Sequence, residues 1–165
     1  MLVGPDVTGV GDDPEAGAVL EATLEHWRSL SDLFRRRVHL VSLPTADPIE
    51  NATMVNALQS HARVVVQKSL REGFGLTVTE AMWKACPIVA SRVGGIQDQI
   101  DDRVEGLLVD DPYDLESSSQ AIGELLRDEA LAERLGTAAR SRVINEFLPP
   151  RHLLRYAELI ERCLP

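Results

Sequence analysis

Short β-branched runs alternate with amphipathic stretches along most of this chain, and that alternation restricts the fold more than any other feature of it. Leu2–Gly4, Val38–Ser42, Val64–Gln67, Pro87–Ala90 and Gly106–Val109 read as strands. Helical patterns at about Pro14–Leu30, Asn51–Ser60 and Thr77–Ala85 lie between them. Strands separated by helices pair in parallel, and such a sheet is covered on both faces. After the last strand the pattern becomes all helical. Leu115, Ile122, Leu125 and Leu126 form a core stripe in one helix, and Leu131, Leu135, Val143 and Phe147 mark a second. Pro149-Pro150 breaks the chain before a third, which turns Leu153, Leu154, Ala157 and Ile160 inward. A length of 165 residues suits a single domain over 1–165. Thr8–Asp13, rich in Gly and Asp, is the segment expected to move most.

One junction in this pattern carries chemistry. The run Ser69-Leu-Arg71-Glu72-Gly73-Phe74-Gly75-Leu76-Thr77-Val-Thr-Glu80 follows a strand directly and leads into a helix. Strand, glycine loop and helix start bring free backbone N–H groups and a positive helix end to one place, which suits an anionic ligand. Gly73 and Gly75 let the backbone approach that ligand closely. Glu72 and Glu80, eight residues apart, stand on either side of the loop where each can grip hydroxyls. Each residue also has a plainer reading. Thr77-x-x-Glu80 fits a capping box, Glu72 fits a solvated loop charge, and the glycines fit an ordinary turn.

Composition narrows the partners. Seventeen basic against 26 acidic residues leave a formal charge of −9, which disfavours nucleic acid and anionic membranes. No apolar run reaches the roughly 18–20 residues of a membrane span. The amino terminus lacks a basic region and a cleavage site, and two cysteines make no disulfide framework, so a cytoplasmic location is expected. His26, His39, His61 and His152 lack metal-ligand spacing, and the pairs Asp12-Asp13, Asp101-Asp102 and Asp110-Asp111 read as loop and cap residues. No G-x-G-x-x-G follows the first strand, which weakens a dinucleotide-binding reading.

Glu72 to Glu80 matches the E-x7-E motif, and the match extends through Glu80-Ala-Met-Trp-Lys-Ala-Cys-Pro87-Ile-Val-Ala-Ser-Arg-Val-Gly94-Gly95-Ile and Gly106-Leu-Leu-Val109 to Asp114-Leu. In these residues the chain resembles the family-4 retaining glycosyltransferases of GT-B fold, over roughly residues 37 to 165 and most densely from 62 to 112. Lys68 to Lys84, Gly94-Gly-Ile-Gln97-Asp-Gln99-Ile, Leu2-Val-Gly-Pro-Asp6-Val and Val55-Asn-Ala-Leu-Gln look similar to the trehalose synthase and trehalose phosphorylase branch, and leave both open.

The resemblance implies an α/β, Rossmann-like parallel sheet with helices on both faces. This would be the C-terminal, donor-binding half of a GT-B enzyme, without its N-terminal acceptor domain and without the first βα unit. It implies a nucleoside-diphosphate glucose donor (UDP-, ADP- or GDP-glucose), glucose as acceptor, and no required cofactor or metal. Main-chain N–H groups from Gly73 through Phe74, Gly75 and Leu76 to Thr77 would bond the diphosphate and the donor sugar. Glu72 would face the transferred sugar as the catalytic carboxylate, and Glu80 would hold the ribose hydroxyls. Lys68 and Arg71 are the nearest cations to a bound phosphate, or else solvated charges. Ser42 and Leu43 lie where the family's main chain meets the base, with Asn56 a weaker candidate. Gln97 and Gln99 either line the sugar pocket or sit on a short exposed helix, and Trp83 is expected in the core. A sheet edge left by the missing strand makes a homodimer an expectation. Two other readings stay open: a phosphorylase using glucose 1-phosphate, and a binding module without turnover.

Overall fold

The computed structural model describes residues 1–6 and 14–164, so the expected mobile loop Thr8–Asp13 lies outside the described residues. The chain divides into two compact units, Met1–Ala57 and Leu58–Pro165.

In the first unit β1 (Leu2–Pro5) and β2 (Leu40–Leu43) pair in parallel, in register from Leu2 with Leu40 to Pro5 with Leu43. Helices α1 (Pro14–Ser29) and α2 (Asp32–Arg35) connect them. The Trp27 indole N–H donates to the Val38 carbonyl at 2.9 Å, and the Arg35 guanidinium lies 5.8 Å from the centre of that ring. Helix α3 (Pro48–His61) starts three residues before the expected Asn51. Asp47 accepts the Ile49 N–H at 2.8 Å and Pro48 supplies a preset φ in the first turn, so the cap decides the start before the apolar pattern begins.

The second unit holds a three-stranded parallel sheet in the order β3 (Val65–Gln67), β4 (Ile88–Ser91), β5 (Leu107–Val109). All four residues of β4 are buried. Their side chains alternate between two apolar clusters, as a strand covered on both faces requires. Ile88 and Ala90 join Val78, Ala81, Met82, Ile96 and Ala139 on one face. Val89 joins Leu107, Leu125 and Leu135 on the other.

The covering helices are α4 (Leu76–Trp83), α5 (Ile96–Gln99), α6 (Leu115–Arg127) and α7 (Glu129–Arg142). A π-helical turn, Val143–Phe147, leads to α8 (Pro149–Cys163), whose prolines occupy its first turn. The second of the expected C-terminal helices is thus an α-helix with a wider turn after it, where Val143 is buried and Phe147 half-buried.

Three expectations about the core need correction. Leu115 and Leu126 are exposed, so the stripe of α6 narrows to Leu125 with Ile122 at its edge. Leu153, Leu154, Ala157 and Ile160 face outward, because no described residue packs over that side of α8. Helix α4 ends at Trp83, two residues short of Ala85. Ala85 takes a left-handed φ of 56°, and the N–H groups of Ala85 and Cys86 close back onto the carbonyls of Met82 and Ala81 in a Schellman-type end. Trp83, expected in the core, is 44% exposed in the last turn of α4, with the Arg140 guanidinium 5.6 Å from its ring centre.

Candidate functional site

Beyond Gln67 the chain leaves the carboxyl edge of the sheet and reaches α4 at Leu76. The intervening loop is held almost entirely by its carbonyls. Those of Glu72 and Gly73 share the Gly95 N–H at 3.4 and 3.1 Å, and that of Gly75 accepts from Val78 and Thr79 at 3.0 and 3.2 Å. The Phe74 carbonyl accepts from the side-chain amide of Gln99. The N–H groups divide the opposite way. Gly73 donates to its neighbour's carboxylate, Glu72 Oε1, at 3.1 Å. Those of Phe74, Gly75, Leu76 and Thr77 meet no hydrogen-bond acceptor among the described residues. Four successive free donors at the positive end of a helix form an anion cradle.

Close backbone approach produces this arrangement. Gly75, at φ 89° and ψ 58°, precedes the first turn of α4 in the left-handed region, and a Cβ on it would lie 3.0 Å from Ile96 Cγ1. Gly94 has φ 48°, and a Cβ there would fall 1.7 Å from the Glu72 carbonyl oxygen. One on Gly95 would fall 2.4 Å from that of Gly73. The Gly94-Gly95 pair is therefore the seat on which the loop rests. The Phe74 ring of the loop stands edge-on to Phe147 with centroids 6.1 Å apart.

The flanking carboxylates differ. Glu72 is half-buried and oriented by a relay from the end of β3: Gln67 Nε2 donates to Ser69 Oγ at 2.9 Å, which donates to Glu72 Oε2 at 3.3 Å. Glu80, one turn into α4, is exposed, and its carboxylate bonds to no described residue. The capping-box reading of Thr77-x-x-Glu80 is overturned, since the residue that opens the helix is Gly75 and not Thr77. Lys68 and Arg71 are both exposed on the loop, and Lys68 lines a shallow recess with Gln67, Ser91 and Ser118 at the strand ends. Ser42, exposed, and Leu43, buried, end β2 in the first unit, and Asn56 is exposed on α3.

Of the glutamine pair only Gln97 is exposed. Gln99 is fully buried, so the exposed-helix reading of that residue is corrected: α5 lies beneath the loop and turns Ile96 and Gln99 into the core. Sequence reasoning missed a second support. Buried Gln59 donates to the Thr77 carbonyl at 3.3 Å and accepts from Lys84 Nζ at 2.7 Å, tying the first turn of α4 to its C-terminal end. Nothing in the spacing of these residues signals that bond. Among the described residues no group of three or more His, Cys, Asp or Glu side chains is placed to hold a metal ion, and no helix is long and apolar enough to cross a membrane.

A parallel α/β sheet with a glycine loop, a row of free amides and two carboxylates at its carboxyl edge has groups that can bond an anionic, hydroxyl-bearing ligand. The Glycosyl transferases group 1 family matches residues 49–142, more than half of the chain, and the chain belongs to that family. It is 40% identical to a trehalose synthase of Thermococcus litoralis over 149 residues, covering 90% of this chain and 34% of that protein. It is 33% identical to a trehalose phosphorylase of Pleurotus pulmonarius, covering 84% of this chain and 18% of that one. Among solved structures, a sucrose-phosphate synthase from Thermosynechococcus elongatus superposes with a TM-score of 0.74 at 31% identity, over 98% of this chain and 37% of its own. The architecture is that of GT-B C-terminal domains. The chain spans about a third of the length of the trehalose synthase.

Proposed function

We propose that this chain is the donor-binding part of a retaining glycosyltransferase that moves glucose from a nucleoside diphosphate to free glucose, forming trehalose. The observation that carries this reading is the row of free N–H groups from Phe74 to Thr77 between Glu72 and Glu80. The amides receive the diphosphate, whose charge grows as the glycosidic bond breaks, and fixed dipoles stabilise such charge without reorganising. Glu72, held by Ser69 and Gly73, faces the sugar and favours the oxocarbenium character of its anomeric carbon. Glu80, unpaired on the first turns of α4, holds the ribose hydroxyls. Lys68 and Arg71 add positive charge near the phosphates. In the transfer, the bond from the anomeric carbon to the diphosphate oxygen breaks. A bond to the acceptor's anomeric hydroxyl oxygen forms on the same face, and the hydroxyl proton leaves with the diphosphate.

The acceptor side belongs to an N-terminal GT-B domain in this reading, and a cytoplasmic location goes with it, since Cys86 and Cys163 are both free thiols. Similarity to the fungal phosphorylase keeps one alternative in view, a site for glucose 1-phosphate. Calorimetric titration with UDP, ADP, GDP, UDP-glucose, ADP-glucose and glucose 1-phosphate tests both. Binding of one nucleotide series is the expected result, and a response to glucose 1-phosphate alone selects the phosphorylase. Glu80→Ala should weaken nucleotide binding by about tenfold, the loss of a charge-assisted hydrogen bond. It should leave stability within about 0.5 kcal/mol, as at other exposed sites. Unchanged affinity would remove Glu80 from the site.

A further inference from the structure

We propose that Gln99 is the positioning residue of the donor loop: its carboxamide donates to the Phe74 carbonyl from below and thereby turns the amides of Phe74 to Thr77 toward the ligand. The inference rests on the reading of that loop as a donor site only for its effect on binding; the pinning of the loop stands on its own geometry.

Three observations converge on this residue. Gln99 is completely shielded from solvent, although glutamine is seldom fully buried. Its Nε2 bonds to the Phe74 main chain, across 25 residues of sequence. Its Oε1 is buried and has no hydrogen-bond partner. An unsatisfied buried acceptor lowers stability, and an apolar side chain of the same length would fill the space without that penalty. Packing alone therefore argues against glutamine here. What glutamine supplies, and methionine does not, is the N–H that fixes the Phe74 carbonyl.

The consequence is local and directional. The peptide units of the loop each point a carbonyl one way and an N–H the other. Gly95 holds the carbonyls of Glu72 and Gly73, α4 holds that of Gly75, and Gln99 holds the remaining one between them. Released, the peptide joining Phe74 to Gly75 is free to rotate, carrying the Gly75 N–H out of the row. The point where a Gly75 Cβ would sit is 3.7 Å from Gln99 Nε2 and 3.4 Å from Glu72 Cγ, so both side chains border the space that Gly75 leaves open. One buried carboxamide thus steadies the anion cradle.

The test uses Gln99→Met, with Ile100→Val as a control that thins the same core without touching the loop. The reporter is hydrogen exchange at the Gly95 N–H, which is protected by the Glu72 and Gly73 carbonyls. In Gln99→Met the unfolding midpoint should stay equal or rise, while Gly95 exchange accelerates by about tenfold, as expected when one hydrogen bond of a local opening is lost. UDP affinity should fall with it. In Ile100→Val the midpoint should fall and Gly95 exchange should stay unchanged. Unaltered Gly95 exchange in a folded Gln99→Met protein overturns the proposal. Should that variant not fold, the unchanged chain decides: one proton of the Gln99 carboxamide must exchange slowly, and a freely exchanging carboxamide overturns the proposal. If the unchanged chain binds no nucleotide, the donor-site reading fails while the exchange data still judge the pinning.

Discussion

Helices α4 and α8 show opposite relations between sequence pattern and burial. In α4 the apolar residues are evenly spread, yet Val78, Ala81 and Met82 are all fully buried. In α8 Leu153, Leu154, Tyr156, Leu159 and Ile160 gather on one side, and every one is more than half exposed. A helical stripe states which face gains from burial, and not whether a neighbour is present to bury it. Helix α4 has such neighbours because glycines let backbone meet backbone: Gly136 of α7 comes so close that a Cβ on it would lie 2.1 Å from the Ala85 carbonyl oxygen.

The sharpest way to break the α4 region is at its loop. Gly94→Val puts a side chain where the Glu72 carbonyl already stands, on a backbone of positive φ. Overpacking and strain together should lower stability by about 3 kcal/mol or more, read from urea unfolding, and abolish nucleotide binding. A loss below about 1 kcal/mol would mean that the loop does not rest on Gly94.

Truncation separates buried from exposed leucines next. Leu135→Ala, at a fully shielded position of α7, should cost about 3 kcal/mol. Leu153→Ala, 72% exposed on α8, should cost no more than about 0.5 kcal/mol. Similar losses at the two sites would mean that α8 is covered in solution.

A gain of stability is expected at the end of α4. Ala85 occupies the left-handed position of a Schellman-type end, where glycine carries no Cβ penalty. Ala85→Gly should therefore raise stability by about 0.5–1 kcal/mol, the strain relieved less the extra freedom of glycine in the unfolded chain. A destabilised variant would show that the turn is not strained.

These positions also explain how far the sequence could be read. The strands were legible because β-branched runs bounded by turns allow few alternatives, and each observed strand falls within a residue or two of the expected one. The loop was legible as a strand-to-helix junction because Gly73 and Gly75 fall between a β-branched run and a helical pattern, whereas Glu72 and Glu80 each kept a plainer reading. The end of α4 was not, since Ala85 holds a place that sequence rules assign to glycine. Nor was the burial of Gln99, because polarity predicts exposure until the loop above it is known. For α8 the pattern was real and only the inward direction failed, for want of a covering surface among the described residues.

The smallest effect belongs to a helix start whose cap is a charged side chain, in contrast to the glycine that opens α4. Asp114 accepts hydrogen bonds from the Ser117 hydroxyl at 2.6 Å and the Ser117 N–H at 2.9 Å. The hydroxyl bond first, and then the backbone bond, hold its carboxyl below the ordinary aspartate range. A folded-state value below the unfolded one means that the unfolded chain binds the proton more readily. The ionised cap therefore stabilises the fold above the unfolded value of about 3.9, and that contribution fades as pH falls from there toward the folded value. Asp114→Asn keeps the capping geometry and removes the charge. The unfolding midpoint of the unchanged chain should exceed that of the variant at about pH 6, and the gap should narrow as pH falls below about 3.9. A gap independent of pH would show that shape alone, without charge, holds the start of α6.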